Sequence, residues 1–364
     1  MAGRALALAL RRAHRAHPFV ASLVLGLSTS ALLVLGLIGL ELVARRLDPG
    51  YLVETRGIHV FSPRYGWKGR PGASAKMGSG LVTLNGRGYR GRELPLPRRG
   101  DLTRVVVLGD SVAFGFGVSD AEAFPELLDS RDNGLEVGNL AVEGYGPGQE
   151  LLVLLREGLR LQPDLVVLAT CLRNDLVDAV LPVALYNGRS PRPRFRLVDG
   201  RLVLDDGAMR LSAAERAVRW LSDYSYLFNR ASALVPARPA TAVESWRVRK
   251  RAALRDESYA LRLTLALVLE MDQVCREHGI DFLAAAFPSG LGYAGQPQLH
   301  RRFVEELETR GAWVVDVGTS FRELGLTPAE LAIDKTGHLA PEGHAIACSV
   351  LEREITARID PARR

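Results

Sequence analysis

Cysteine is scarce, with only Cys171, Cys275 and Cys348 in a chain of 364 residues. All three stand in apolar contexts without metal-ligand spacing, no cysteine and histidine cluster suggests a metal, and an odd number does not form a complete disulfide framework. Burial as a small apolar residue is the expected role of Cys171. Concentrated charge is missing as well. The formal net charge of +6 is spread over many short arginine-containing stretches, with no basic helix and no nucleic-acid module. It reads as a solvated surface, and nucleic acid is excluded as the expected partner.

One long apolar run is present. Pro18 to Ala44 is almost uninterrupted and exceeds the roughly 20 residues that span a bilayer. A cleavable signal has a shorter apolar core, about 7 to 15 residues, ending at an Ala-x-Ala type site, so an uncleaved anchor is the preferred reading. Arg4, Arg11, Arg12 and Arg15 precede the run, whereas Arg45 and Arg46 are soon diluted by Asp48 and Glu54. This bias places the N-terminus in the cytoplasm and the rest of the chain outside it, in the periplasm if the cell is Gram-negative. The expected organisation is a cytoplasmic segment 1–17, an anchor 18–44, a leader 45–100 with short strands, and a main domain 101–360 carrying an insertion at about 176–255.

The main domain begins with Val105-Val106-Val107 followed by Leu108-Gly109-Asp110-Ser111. An apolar run bounded by glycine reads as a buried, parallel strand. Ligands bind outside the carboxyl ends of such strands, so Ser111 is a candidate nucleophile. Asp-Ser after a strand also serves as a plain helix cap, which is the competing reading. A second strand, Leu135 to Val137, opens into Asn139-Leu-Ala-Val-Glu-Gly144-Tyr-Gly-Pro-Gly, a turn able to aim backbone N–H groups at an anion. A third, Leu165 to Ala169, ends in Cys171-Leu-Arg-Asn174-Asp175, and His338 lies on a loop before a helix from Ala345 to about Ala357.

These four blocks, in this order, resemble the SGNH (GDSL-type) hydrolase superfamily, over about 104–355. The resemblance implies Ser111 as nucleophile and His338 as base, with an oxyanion hole made by the Ser111 N–H, the Gly144 N–H and the Asn174 side chain. It also implies a flavodoxin-like α/β fold, a three-layer α/β/α sandwich around a parallel sheet of about five strands, and no cofactor. Two departures stand out. Leu172 and Arg173 occupy a stretch where the family has a glycine two residues before the asparagine. Lys335 holds the position three before the histidine, where the family has its acid. Asp334, one residue further away, is the candidate for orienting His338, with Asp316 or no acid as the alternatives.

The residue types suit acyl transfer. A serine hydroxyl is a weak nucleophile unless a base stands within hydrogen-bond reach and is itself oriented. The implied activity is hydrolysis of an ester outside the cytoplasm, on an acylated glycan or a lipid. An O-acyltransferase using the same residues and an inactive envelope scaffold are the alternatives. Arg90 and Arg173 are candidate substrate ligands, and the membrane is the expected partner through the N-terminal helix. The insertion contains a hairpin signature around Asp199-Gly200 and two helical stretches with Trp220, Tyr224 and Tyr226, candidates for stacking on a sugar. It leaves the strand end after Asn174, which makes it a candidate lid. His344 is expected to be structural.

Overall fold

The first three strands of the main sheet form where short β-favouring apolar runs are closed by glycine, asparagine or threonine, and the segments that leave their carboxyl ends carry Ser111, Gly144 and Asn174. The computed structural model describes residues 18–48, 50, 52–53, 57–98, 101–184, 191–232, 234, 254–288, 297–327, 330–333 and 337–359. It divides into two compact units, Met1–Arg56 with Val218–Arg238 and Gly57–Ala217 with Pro239–Arg364.

In the larger unit, two antiparallel pairs come first: β1 (His59–Ser62) with β2 (Gly66–Gly69), and β3 (Ser74–Met77) with β4 (Gly80–Thr83). The main sheet follows with β5 (Thr103–Gly109), β6 (Leu135–Asn139) and β7 (Leu165–Thr170). The hairpin β8 (Arg194–Val198) and β9 (Arg201–Asp205) interrupts it, before β10 (Asp281–Ala286) and β11 (Trp313–Asp316) complete it. Its order is β11-β10-β7-β5-β6, and every pairing is parallel. Counting only these five strands, the order is 2-1-3-4-5, the flavodoxin-like arrangement. The chain steps from β5 to β6 in one direction and then crosses back to β7, so a crevice opens at the carboxyl ends of β5 and β7.

Helices cover both faces. Pro147–Val153, Leu172–Val180, Glu257–Glu277 and Pro297–Thr309 pack together on one side, and Phe124–Ser130, Val317–Glu323 and Pro341–Arg358 on the other. Val105, Val106 and Val107 are completely buried between these layers, as are Leu165, Val166 and Val167. A strand covered on both faces has no polar side to alternate with, which explains the continuous apolar runs.

The helical segment between β6 and β7 is broken. An α-helix from Pro147 to Val153 passes into a π-helical turn, Leu154–Gly158, and a 3₁₀ turn, Leu159–Leu161. The last helix begins at Pro341, four residues before the expected Ala345, because proline fits the first turn of a helix, where no N–H is needed.

In the smaller unit, the apolar helix runs from Pro18 to Leu47, past the expected end at Ala44. It is long and apolar enough to cross a membrane, and its apolar side chains are exposed along its length. Near its C-terminal end, the Glu41 carboxylate accepts hydrogen bonds from the backbone N–H groups of Tyr226 (2.7 Å) and Leu227 (3.0 Å) and from the Ser225 hydroxyl (3.0 Å). Glu41 thereby caps the helix Tyr226–Ser232. Arg45 bonds Glu41 and the Tyr224 carbonyl, and the Tyr226 hydroxyl reaches Asp48 at 3.3 Å. The Tyr226 hydroxyl is thus engaged with the apolar helix, and Tyr224 meets it through its backbone carbonyl. Residues 1–17, with Arg4, Arg11, Arg12 and Arg15, lie outside the described residues.

Candidate active site

Gly109 ends β5 with φ +152°, and a Cβ there would stand 2.9 Å from the Ala113 Cβ and 3.0 Å from the Ala169 carbonyl oxygen. Only glycine lets the chain turn this tightly between β5 and β7. The turn delivers Asp110 to the N-cap of a short helix, Ser111–Phe114, where one carboxylate oxygen accepts from the Val112 N–H at 2.9 Å. The capping reading of Asp-Ser therefore holds for Asp110. It leaves the neighbouring serine hydroxyl uncommitted to the backbone.

Ser111 is 7 % exposed, and its Oγ lies 2.9 Å from Nε2 of His338. The two residues are 227 positions apart in sequence. The histidine loop is held by backbone bonds from the Ile333 N–H to the His338 carbonyl and from the Ala340 N–H to the Leu331 carbonyl. The ring of Phe116 lies 4.5 Å from the imidazole, an apolar wall against solvent.

Asn174 enters from the end of β7, exposed on the first turn of the helix Leu172–Val180. Its Nδ2 donates to the second carboxylate oxygen of Asp110 at 2.9 Å. Asp110 thus ties the serine turn to the asparagine, and the amide has a second N–H to offer outward. Burial raises the Asp110 pKa, opposed by the Asn174 hydrogen bond, the Val112 N–H and the charge of His338. Behind it, burial first and neighbouring carboxylates second push Asp175 and Glu150 well above the ordinary carboxyl range, which favours their neutral forms.

Gly144 adopts φ +76°, the left-handed conformation that turns successive peptide groups of its loop in different directions. Its carbonyl accepts from Nη2 of Arg192 at 3.3 Å, and the preceding Glu143 carbonyl accepts from the Trp67 indole at 3.0 Å. Arg192 is 1 % exposed, pairs with Asp178 at 2.9 Å and lies over the Trp67 ring at 5.3 Å. Neither Arg192 nor Trp67 was marked in the sequence, because each acts through the backbone of a segment far away in the chain.

Two expectations change. Arg90 is 0 % exposed and is not placed to meet a substrate: it pairs with Asp120 at 3.0 Å and donates to the carbonyls of Phe114, Gly115 and Val118. It braces the loop that follows Ser111. Asp316, the alternative acid, is committed to Nε2 of His300 (3.0 Å) and the Thr319 hydroxyl (2.6 Å). Asp334 and the side chain of Arg173 lie outside the described residues. Cys171 is buried, as is His344, which accepts the Phe124 N–H at 3.3 Å. Burial lowers the His344 pKa to about 3, so it stays neutral and structural. Among the described residues, no group of histidine, cysteine and carboxylate side chains could hold a metal ion.

No protein-family model matches the chain, and no curated protein does. Solved structures do. A GDSL-like lipase from Bacteroides thetaiotaomicron is 12% identical, covers 71% of this chain and 89% of its own, and gives a TM-score of 0.40. Axe2, an acetylxylan esterase from Geobacillus stearothermophilus, is 14% identical, with coverage of 70% and 95% and a TM-score of 0.40. A member of the lipolytic protein G-D-S-L family from Veillonella parvula is 10% identical, with coverage of 70% and 99% and a TM-score of 0.39. At such identities and scores the likeness carries no weight for the chemistry, which rests on the geometry of Ser111, His338 and Asn174.

Proposed function

We propose that this chain is a serine ester hydrolase of the SGNH type, held at a membrane by the helix that includes residues 18–44 and acting outside the cytoplasm. The observation that carries this reading is the 2.9 Å contact between His338 Nε2 and Ser111 Oγ at the carboxyl edge of the sheet. The order of motifs in the sequence supports it.

The proposed reaction proceeds in two halves. Ser111 Oγ attacks the ester carbonyl while His338 Nε2 takes its proton. The tetrahedral oxyanion is met by the N–H of Ser111, unpaired at a helix start, by the N–H of Gly144 and by the outward N–H of Asn174. Collapse breaks the ester C–O bond, and the imidazolium returns the proton to the leaving alcohol. Water, deprotonated by His338, then attacks the acyl-serine and releases the carboxylic acid and the free serine. Asp334 is the proposed partner of the other imidazole nitrogen. Phe116 shields the ion pair formed in each half.

An acyl group on a glycan or a lipid is the proposed substrate class. The arginine bias on either side of the anchor supports an extracytoplasmic main domain. The test is hydrolysis of p-nitrophenyl esters of increasing chain length by the full chain in detergent. Wild-type turnover that falls by orders of magnitude in Ser111→Ala supports the reading, and failure to cleave any ester of the series contradicts it.

A further inference from the structure

A cavity of about 410 Å³ lies between the leader strands and the edge strand β6, and it shares no residue with the Ser111, His338, Gly144 and Asn174 constellation. Its wall carries five arginines, Arg64, Arg87, Arg92, Arg156 and Arg160, against two glutamates, Glu93 and Glu157. Solvated surface arginines usually diverge or pair. Here only Arg92 is fully paired, with Asp129 at 2.5 and 2.7 Å, and Arg87 stands 3.7 Å from Glu93. Arg64, Arg156 and Arg160 have no carboxylate partner among the described residues.

Glu157 does not neutralise them by direct pairing. Its two oxygens accept from the hydroxyls of Tyr65 (2.7 Å) and Tyr89 (2.9 Å). Burial first and Glu157 second raise the Tyr65 pKa, so the phenol stays a donor and the carboxylate stays turned toward it. Arg156 lies over the Tyr65 ring at 5.8 Å, which limits its freedom. Both Arg156 and Glu157 project from the π-helical turn Leu154–Gly158, an irregularity that concentrates at functional sites. Leu94, Leu96, Leu140 and Leu161 add an apolar lining.

We propose that this cavity binds a phosphate ester. Guanidinium forks match the oxygens of phosphate two at a time. The volume falls in the range of about 300 to 1,000 Å³ typical of small-molecule sites, and the leucines seat the organic part. The shared chemistry is a phosphate oxyanion on a small body, from a lipid headgroup or from a soluble ester. The cavity also touches the proposed catalytic turn from behind: Asn139, part of its wall, donates to the Ala113 carbonyl in the helix Ser111–Phe114 at 3.0 Å.

The test uses the full chain in a nonionic detergent at constant ionic strength set with chloride. Inorganic phosphate is titrated by calorimetry, with glycerol 3-phosphate and a monomeric short-chain phosphatidate in parallel. Saturable binding of phosphate beyond chloride is expected, weakened at least tenfold by Arg156→Ala/Arg160→Ala and separately by Arg64→Ala, and unchanged by Arg302→Ala, an exposed arginine on another helix. Melting curves in chloride verify that each variant is folded. Tighter binding of the phosphatidate identifies a lipid source, and tighter binding of glycerol 3-phosphate a soluble one. No binding beyond chloride, or equal losses in the Arg302 and Arg156/Arg160 variants, overturns the proposal.

Discussion

Asn174 has two duties on one amide: an N–H given to Asp110 and, in the proposed mechanism, another given to the oxyanion. Asn174→Ala should lower kcat by roughly a hundredfold or more with a much smaller change in KM, because such a donor acts mainly in the transition state. A loss confined to KM in ester kinetics would make it a ground-state binding residue. Glu126 gives a second residue-level prediction. Burial lifts its carboxyl to about 7 from its ordinary 4.5, and one of its oxygens has no hydrogen-bond partner among the described residues. The folded chain therefore keeps a proton that the unfolded chain releases, so this residue makes stability fall as pH rises from 4.5 to about 7 and adds no further change above that. Glu126→Gln should melt above wild type at about pH 8 and lose that advantage near pH 4; equal melting at both values would contradict the assignment. Ser111, Gly144, Asn174 and His338 could be singled out as candidates because each follows an apolar strand run or precedes a helix on a polar, glycine-containing segment, and the structure brings Ser111 to His338 and Asn174 to Asp110. Arg90 and Arg192 were not, since an arginine on a turn looks solvent-facing until tertiary structure brings carbonyls from other segments around its guanidinium.

The sheet strands were legible to within a residue or two as well, because buried parallel strands declare themselves as apolar runs with glycine or polar stops. The interruption of the helix after Val153 was not, as neither proline nor a change of period marks the π turn. The leader was legible only as a segment 45–100 with short strands, and they form at 59–62, 66–69, 74–77 and 80–83, short elements whose ends depend on what they pack against. One of them supports the candidate oxyanion loop: β2 supplies Trp67, which holds the Glu143 carbonyl and underlies Arg192. Arg192→Ala would remove the guanidinium that pairs with the buried Asp178 carboxylate at 2.9 Å, a change that costs on the order of 3 to 5 kcal/mol in comparable pairs. Urea unfolding should show a loss of that size, partly recovered in Arg192→Ala/Asp178→Asn. Absence of recovery would show that packing against Trp67, and not the charge, is what the arginine contributes.

For the whole molecule, the order β11-β10-β7-β5-β6 explains why residues so distant in sequence come together: Ser111 follows β5 and Asn174 follows β7, on neighbouring strands at the point where the chain reverses direction across the sheet. The length of the apolar helix was legible, whereas the capping of Tyr226–Ser232 by Glu41 was not, because a carboxylate near the end of an apolar run reads only as an interfacial charge. Glu41→Ala should remove about 0.5 to 2 kcal/mol of capping energy and speed proteolysis within 218–238; unchanged cleavage would mean that the cap is dispensable. The central claim is that His338 activates Ser111, and the most direct measurement is the rate at which a fluorophosphonate acylates the full chain, with the adduct located by mass spectrometry. The account predicts a single adduct on Ser111, absent in Ser111→Ala and slowed by orders of magnitude in His338→Ala. An adduct on another residue, or an unchanged rate without His338, would contradict it.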